Sequence, residues 1–255
     1  MIVPPDALTS IVPSGITACL FDLDGVLTQT AKLHAEAWKQ MFDDFLLDRS
    51  KRTGEPFSPF ELPDDYVEYV DGKLRADGVR DFLASRGITL SEGSPDDSPT
   101  AATVHGLGTR KNDLVLGLIE RRGVEVYTGS VRFVEAACAA GLHRAVVTAS
   151  KNARAILATA GIEHLFHVRI DGVVAEEANL RGKPAPDTFL AAAEALRVPP
   201  PHCALFEDAV AGIEAGRAGG FGWVVGIDRG GRGTSLLERG ADIVVADLSE
   251  LLEQP

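Results

Sequence analysis

Residues 16–30 read ITACLFDLDGVLTQT, and the architecture follows from how this stretch is taken. Residues 16–21 form a short apolar run with no polar alternation, the pattern of a strand buried on both faces inside a parallel sheet. The run stops at Asp22, and Asp24 and Gly25 follow at once. Two carboxylates at i and i+2 therefore fall where a strand gives way to a loop. In open α/β sheets that carboxyl edge is where ligands bind. The same letters also describe a turn with two solvated aspartates, so the rest of the chain must decide.

The rhythm of short apolar runs returns at residues 144–148 (RAVVT), 204–206, 222–227 (GWVVGI) and 242–245 (DIVV), and residues 166–174 are a further strand candidate. Alanine-rich segments with helical spacing lie between them, at 131–140, 153–160, 187–196 and 210–218. This alternation predicts a doubly wound parallel α/β sheet from about residue 124 onward. Residues 31–123 break the rhythm. Leu33, Ala37, Met41 and Phe45 share one face of a helix over 31–47. Leu114, Leu118 and Val115 do the same over 110–121, and residues 91–103, with two prolines and two aspartates, read as a loop. The expected organisation is a Rossmann-like core from residues 1–30 and 124–255, with a helical cap domain of residues 31–123 inserted after the first strand.

With 255 residues, 45% of them apolar, the chain can bury a large core. A net charge of -12 argues against nucleic acid or a membrane as partner, while leaving room for a local basic pocket. Cys19, Cys138 and Cys203 are odd in number, far apart and never in a CxxC pair, which reads as buried apolar filler in a reducing compartment. The opening MIVPPDALTSIVPSG lacks a basic region, its prolines interrupt each apolar run, and no stretch approaches the length of a membrane span. A soluble cytoplasmic protein is expected. No GxGxxG follows the first strand, which disfavours a dinucleotide fold; the glycine-rich GIDRGGRG at 226–233 follows a late strand and reads as a flexible loop near the site.

Three further segments fall at strand ends. TASKN (148–152) offers a hydroxyl and small residues at a helix start, an anion cradle. RGKPAPD (181–187) places Lys183 just before a proline-led helix, and FEDAVAGIEAG (206–216) places Glu207 beside Asp208. Singly these are an N-cap, a solvated charge and an acidic helix start. Together with Asp22 and Asp24 they gather carboxylates suited to Mg²⁺, and a lysine and hydroxyl suited to phosphate, on one edge of one sheet.

The order and wording of the four segments resemble the haloacid dehalogenase (HAD) superfamily of phosphotransferases over nearly the whole chain. FDLDGVLTQTAKLHAEAWK, TASKN, GKPAPD and EDAVAGIEA look most like its β-phosphoglucomutase-like subfamily. The resemblance implies that Asp22 is a nucleophile forming an aspartyl-phosphate and Asp24 a general acid and base. It implies Mg²⁺ held by Asp22, the Asp24 carbonyl and Asp208, with Glu207 in or near that shell. Thr148, the Ala149 N–H and Lys183 would hold the transferring phosphoryl group. Substrate contacts would come from Thr30, His34, Trp38, Gly72, Arg75 and Lys111, with Ser150 and Asn152. Arg75 would grip a second phosphate, for which its planar fork is suited.

The implied activity is Mg²⁺-dependent phosphoryl transfer on a hexose phosphate, converting β-glucose 1-phosphate to glucose 6-phosphate, with glucose 1,6-bisphosphate as activator. The alternative is a phosphatase acting on a sugar phosphate or another small phosphomonoester. The partner is a small sugar phosphate, and the chain is expected as a monomer or weak homo-oligomer. Two positions depart from the subfamily pattern: Gln29 stands where aspartate is usual, and Asp71 where a lysine precedes the cap glycine. The cap is also lengthened around residues 50–63 and 91–103.

Overall fold

The computed structural model describes residues 12–231 and 233–252. The expectation about a leader at residues 1–11 lies outside them. By contacts, the chain divides into two compact units, Met1–Gln29 with Val124–Pro255, and Thr30–Gly123.

Strand β1 (Ala18–Phe21) opens the first unit, and the second is built from three α-helices, α1 (Ala31–Thr53), α2 (Arg75–Ser85) and α3 (Val104–Arg122), with a π-helical turn at Tyr66–Val70. Helix α1 runs six residues beyond the predicted 47, because the prediction stopped where its apolar face does. Residues 48–53 are polar but contain no helix breaker, and the helix ends only at Gly54, whose φ of +76° suits glycine. Helix α3 likewise starts earlier than predicted, at Val104, behind the Thr103 cap whose hydroxyl accepts from Gly106 N at 2.9 Å. The prediction missed its first turns because Gly106 and Gly108 are poor helix formers. Both glycines serve close approaches: a Cβ on Gly106 would sit 2.3 Å from Ala101 O, and one on Gly108 would sit 3.1 Å from Arg75 Cδ. An aromatic cluster of Trp38, Phe42, Phe60 and Phe82 fills this unit, with Phe42 and Phe82 ring centroids 4.2 Å apart. The 91–103 loop is closed by a bridge between Ser91 and Thr103, and Arg110 Nε donates to Pro99 O at 2.9 Å.

The chain then alternates: α4 (Thr128–Ala139), β2 (His143–Val147), α5 (Ala153–Thr159), β3 (Val168–Ile170), α6 (Gly172–Glu177), α7 (Asp187–Leu196), β4 (Cys203–Glu207), α8 (Val210–Ala218), β5 (Trp223–Ile227), α9 (Gly233–Glu238), β6 (Ile243–Val245) and α10 (Ser249–Leu252). The six strands are parallel in the order β3-β2-β1-β4-β5-β6. The 166–174 candidate resolves into a three-residue strand followed by a helix, capped by Asp171, whose carboxylate accepts from the Val173 and Val174 amides. This is the doubly wound parallel sheet the sequence predicts, with helices covering both faces.

Strand β1 is wholly buried. On one face Ala18 and Leu20 join Phe189 of α7 and Ile213 of α8; on the other Phe21 stacks on Phe206 at 4.7 Å, and Phe133 of α4 packs edge-on against both. Cys19 and Cys203 are buried as expected, but Cys138 is exposed. It lies on the outer side of α4, whose inward positions are Phe133, Val134, Ala136 and Ala137. No described helix is long and apolar enough to cross a membrane.

Phe133 is fully buried edge-on against Phe21 and Phe206. Replacing it with alanine should lower stability by about 3–5 kcal/mol, read as a shifted urea midpoint at unchanged slope. A shift worth under about 1 kcal/mol would mean the sheet face collapses into the gap.

Candidate active site

The sheet order reverses at β1, since the chain fills β2 and β3 on one side before crossing to β4. A crevice opens beyond the carboxyl ends of strands at such a switch point. Asp22 directly follows β1 and Glu207 ends β4, and the ladder continues one step as Asp22 N donates to Phe206 O at 3.0 Å.

A tight loop carries the next residues. Leu27 and Thr28 both donate their amides to Leu23 O, at 3.0 and 2.9 Å, and Gly25 N donates to Thr28 O at 2.8 Å. Gly25 has a φ of +91°, and a Cβ there would fall 1.9 Å from Asp208 Oδ2. The glycine is what lets the loop lie against Asp208.

Lys183 is 4% exposed. Its Nζ donates to Asp22 Oδ1 at 2.6 Å and to Glu207 Oε2 at 2.7 Å, and sits 4.9 Å from the Phe189 ring centroid. The reading of Lys183 as a solvated surface charge therefore fails. Glu207 is fully buried, and its other oxygen accepts from Ala209 N at 3.1 Å. Gly212 leaves room for this carboxylate, since a Cβ there would meet Glu207 Cδ at 2.1 Å. On the other side of Asp22, the Thr148 hydroxyl donates to Asp24 Oδ2 at 3.3 Å and accepts from Ser150 N at 3.1 Å. The Ser150 hydroxyl accepts from Asn152 N at 3.2 Å, which completes the TASKN turn.

Burial pushes the Asp22 carboxyl well above the usual range; Lys183 pulls the other way, and Glu207 and Asp24 push it higher. Burial also works against the Lys183 ammonium, but Asp22 and Glu207 outweigh it and hold it above the ordinary lysine value. Both directions express one imbalance, more buried acid than buried base. Oxygens of Asp22, Glu207 and Asp208 lie within 4.8 Å of one another, all three residues buried. An all-oxygen, surplus-negative donor set of this kind fits a hard divalent cation.

In the second unit, Lys111 is buried too. Its Nζ lies 2.9 Å from His34 Nδ1 and 4.9 Å from the Trp38 ring centroid. Arg75, at the start of α2, lays its stem across Gly108 and donates from Nη2 to Asn112 Oδ1 at 2.8 Å. Thr30 is buried and its carbonyl accepts from His34 N at 2.9 Å. Gly72 has a φ of +72° in the turn before α2. Asn112, which accepts from Arg75 and sits beside Lys111, is not among the residues the sequence points to.

The chain belongs to the haloacid dehalogenase-like hydrolase family, whose profile matches residues 16–220. It is 55% identical over 244 residues to the β-phosphoglucomutase of Mycobacterium tuberculosis (strain CDC 1551 / Oshkosh), covering 94% of this chain and 93% of that one. The β-phosphoglucomutase of Bacillus subtilis (strain 168) is 32% identical, covering 92% of this chain and 91% of its own. Among solved structures, β-phosphoglucomutase from Clostridium difficile superposes with a TM-score of 0.71 at 25% identity, covering 92% of this chain and 93% of that one. This kinship makes the chain a phosphoryl-transfer enzyme with a divalent metal requirement.

Gly25→Ala should weaken divalent-cation binding at least about tenfold, because the added methyl displaces Asp208 or the loop. Calorimetric titration of Mg²⁺ into the protein measures this. Unchanged affinity would show that Asp208 shifts without consequence for the cation.

Proposed function

We propose that this enzyme interconverts β-glucose 1-phosphate and glucose 6-phosphate through a phosphorylated Asp22. The observation that carries the reading is 55% identity, nearly end to end, with a β-phosphoglucomutase. The placement of Asp22, Asp24, Thr148, Lys183 and Asp208 about one crevice supports it.

In this reading the phosphoryl group starts on Asp22. Asp24 takes the proton of the sugar C6 hydroxyl as that oxygen attacks phosphorus, and the bond from phosphorus to the Asp22 carboxylate breaks. The product is a 1,6-bisphosphate. It turns end for end, Asp22 attacks the C1 phosphate, and Asp24 returns its proton to the departing C1 oxygen. Glucose 6-phosphate leaves and Asp22 is phosphorylated again, so a trace of glucose 1,6-bisphosphate acts as activator. Thr148, the Ala149 N–H and Lys183 hold the phosphoryl oxygens, and the Thr148 hydroxyl also orients Asp24. Mg²⁺, held by Asp22, the Asp24 carbonyl and Asp208 with Glu207 alongside, would offset the negative charge gathered around phosphorus. Thr30, His34, Trp38, Gly72, Arg75 and Lys111, with Ser150 and Asn152, bind the sugar and its distal phosphate. The reaction is placed in the cytoplasm, whose reducing conditions suit the unpaired cysteines, with the chain a monomer or weak homo-oligomer.

The test is to supply β-glucose 1-phosphate, Mg²⁺ and a trace of the bisphosphate, following glucose 6-phosphate and free phosphate together. Isomerisation outpacing phosphate release is expected. Steady phosphate release with little isomerisation would replace this reading with a phosphatase using the same Asp22. Asp22→Asn should abolish labelling of the protein by phosphate donors, and surviving turnover would remove Asp22 as nucleophile. Arg75→Ala should depress isomerisation at least about tenfold more than hydrolysis, since only the mutase needs two phosphate grips. Equal losses would argue against that contact.

A further inference from the structure

The loop after β5 holds an arginine that the reaction as described does not use. Arg229 spreads its guanidinium over three other segments of the same unit. Its Nε donates to Gly25 O at 3.1 Å, in the loop after β1. Its Nη1 donates to Ala246 O at 2.6 Å and Asp247 Oδ2 at 2.9 Å, just past β6. Its Nη2 donates to Ser130 Oγ at 3.3 Å in α4, and its Cζ lies over the Tyr127 ring, 3.6 Å from the centroid. Tyr127 in turn donates its amide to Leu27 O at 2.9 Å, so the residue beneath the guanidinium also holds the β1 loop. The far anchor is also built for close contact: a Cβ on Gly129 would strike Asp247 Oδ1 at 1.7 Å.

From this we infer that Arg229 is a positioning residue for Asp24, acting through the Gly25 peptide. Strand β5 is two places from β1 in the sheet, with β4 between. The side chain therefore spans from the β5 loop to the β1 loop. Gly25 is the residue that packs against Asp208, and it directly follows Asp24. Its amide is held by Thr28 and its carbonyl by Arg229, so both peptide groups of the residue that follows Asp24 are held. Asp24 is a proton donor and acceptor only if its carboxylate stays at hydrogen-bond distance from the reacting oxygen. Small displacements of such a group cost rate far more than binding. Arginine suits the task because its planar fork donates in several fixed directions while the guanidinium lies over tyrosine; a lysine ammonium on its flexible stem lacks that fixed geometry. The inference rests on the role proposed for Asp24.

The experiment compares Arg229→Ala and Arg229→Lys with the wild-type enzyme. For Arg229→Ala, kcat should fall about 10–100-fold while KM for the sugar phosphate stays within about threefold, because binding groups on the cap helices are untouched. Amide hydrogen exchange in residues 23–28 should rise at least about tenfold. Arg229→Lys should recover thermal stability, through its charge beside Asp247, but recover neither kcat nor protection of the loop. Full rescue of kcat by lysine, a rise in KM matching the fall in kcat, or unchanged exchange over 23–28 would each overturn the proposal. Exchange is read without substrate. If the wild-type enzyme fails to isomerise the sugar phosphate, the mutase reading falls, and Arg229 is still judged by the protection of its loop.

Discussion

A buried ammonium with two carboxylates on it is the constraint around which this molecule is organised. Lys183 reaches Asp22 and Glu207 at once, and all three are almost without solvent. Truncating one member of such a group leaves uncompensated charge in a poorly polarisable interior, so its members must stay together. They come from β1, the segment before α7, and the end of β4, which lie far apart in sequence. Their meeting requires the parallel register in which Phe21 opposes Phe206, and the fully apolar strands that put both residues in the core. The same arrangement poses a chemical problem and solves it. A carboxylate can attack a phosphate only where positive charge offsets repulsion, and Lys183 supplies part of that charge. The remaining excess of acid is what makes room for a divalent cation.

The two carboxylates at i and i+2 after β1 have different surroundings, and the division of labour proposed for them fits the difference. Asp22 is buried and touches the ammonium, whereas Asp24 is less buried and meets a neutral hydroxyl. A group that must form and break a bond to phosphorus is fixed against a cation. A group that must gain and lose a proton does better beside a hydroxyl that can both donate and accept. Thr148 contacts Asp24 and closes the TASKN turn through the Ser150 amide, so in the proposed mechanism one hydroxyl joins the phosphate cradle to the proton carrier.

Much of the core was legible because its signals are local. Continuous apolar runs marked the strands, and the ranges predicted for α7 and α8 match the observed ones. The chemistry was legible because carboxylates, a lysine and a hydroxyl recurred at strand ends in one order. Polar helical stretches were harder. Nothing in residues 48–53 points inward, so α1 outlasted its apolar stripe, and the glycines of α3 hid a helix start that tertiary contacts stabilise. Cys138 was misread because cysteine is usually buried, while the helical phase at that position faces solvent. Asn112 had no local signature either, since its partner Arg75 lies on another helix.

Two cations serve the same carboxyl edge in different ways, and their side chains fit the difference. Lys183 presents a compact charge at the end of a flexible stem, which can contact two carboxylates and still turn toward a phosphoryl oxygen. Arg229 contacts no carboxylate among Asp22, Asp24, Glu207 and Asp208 in its described hydrogen bonds; it grips main-chain oxygens, a hydroxyl, Asp247 and an aromatic face. One residue therefore sets the charge seen by the reacting group, and the other sets where the backbone beneath that group lies. The glycine-rich segment around Arg229 reads from sequence as slack, yet here it ties the β1 loop to the far edge of the sheet. In the proposed mechanism the β1 loop carries a proton donor that cannot be free to wander, and the restraint comes from a side chain two strands away.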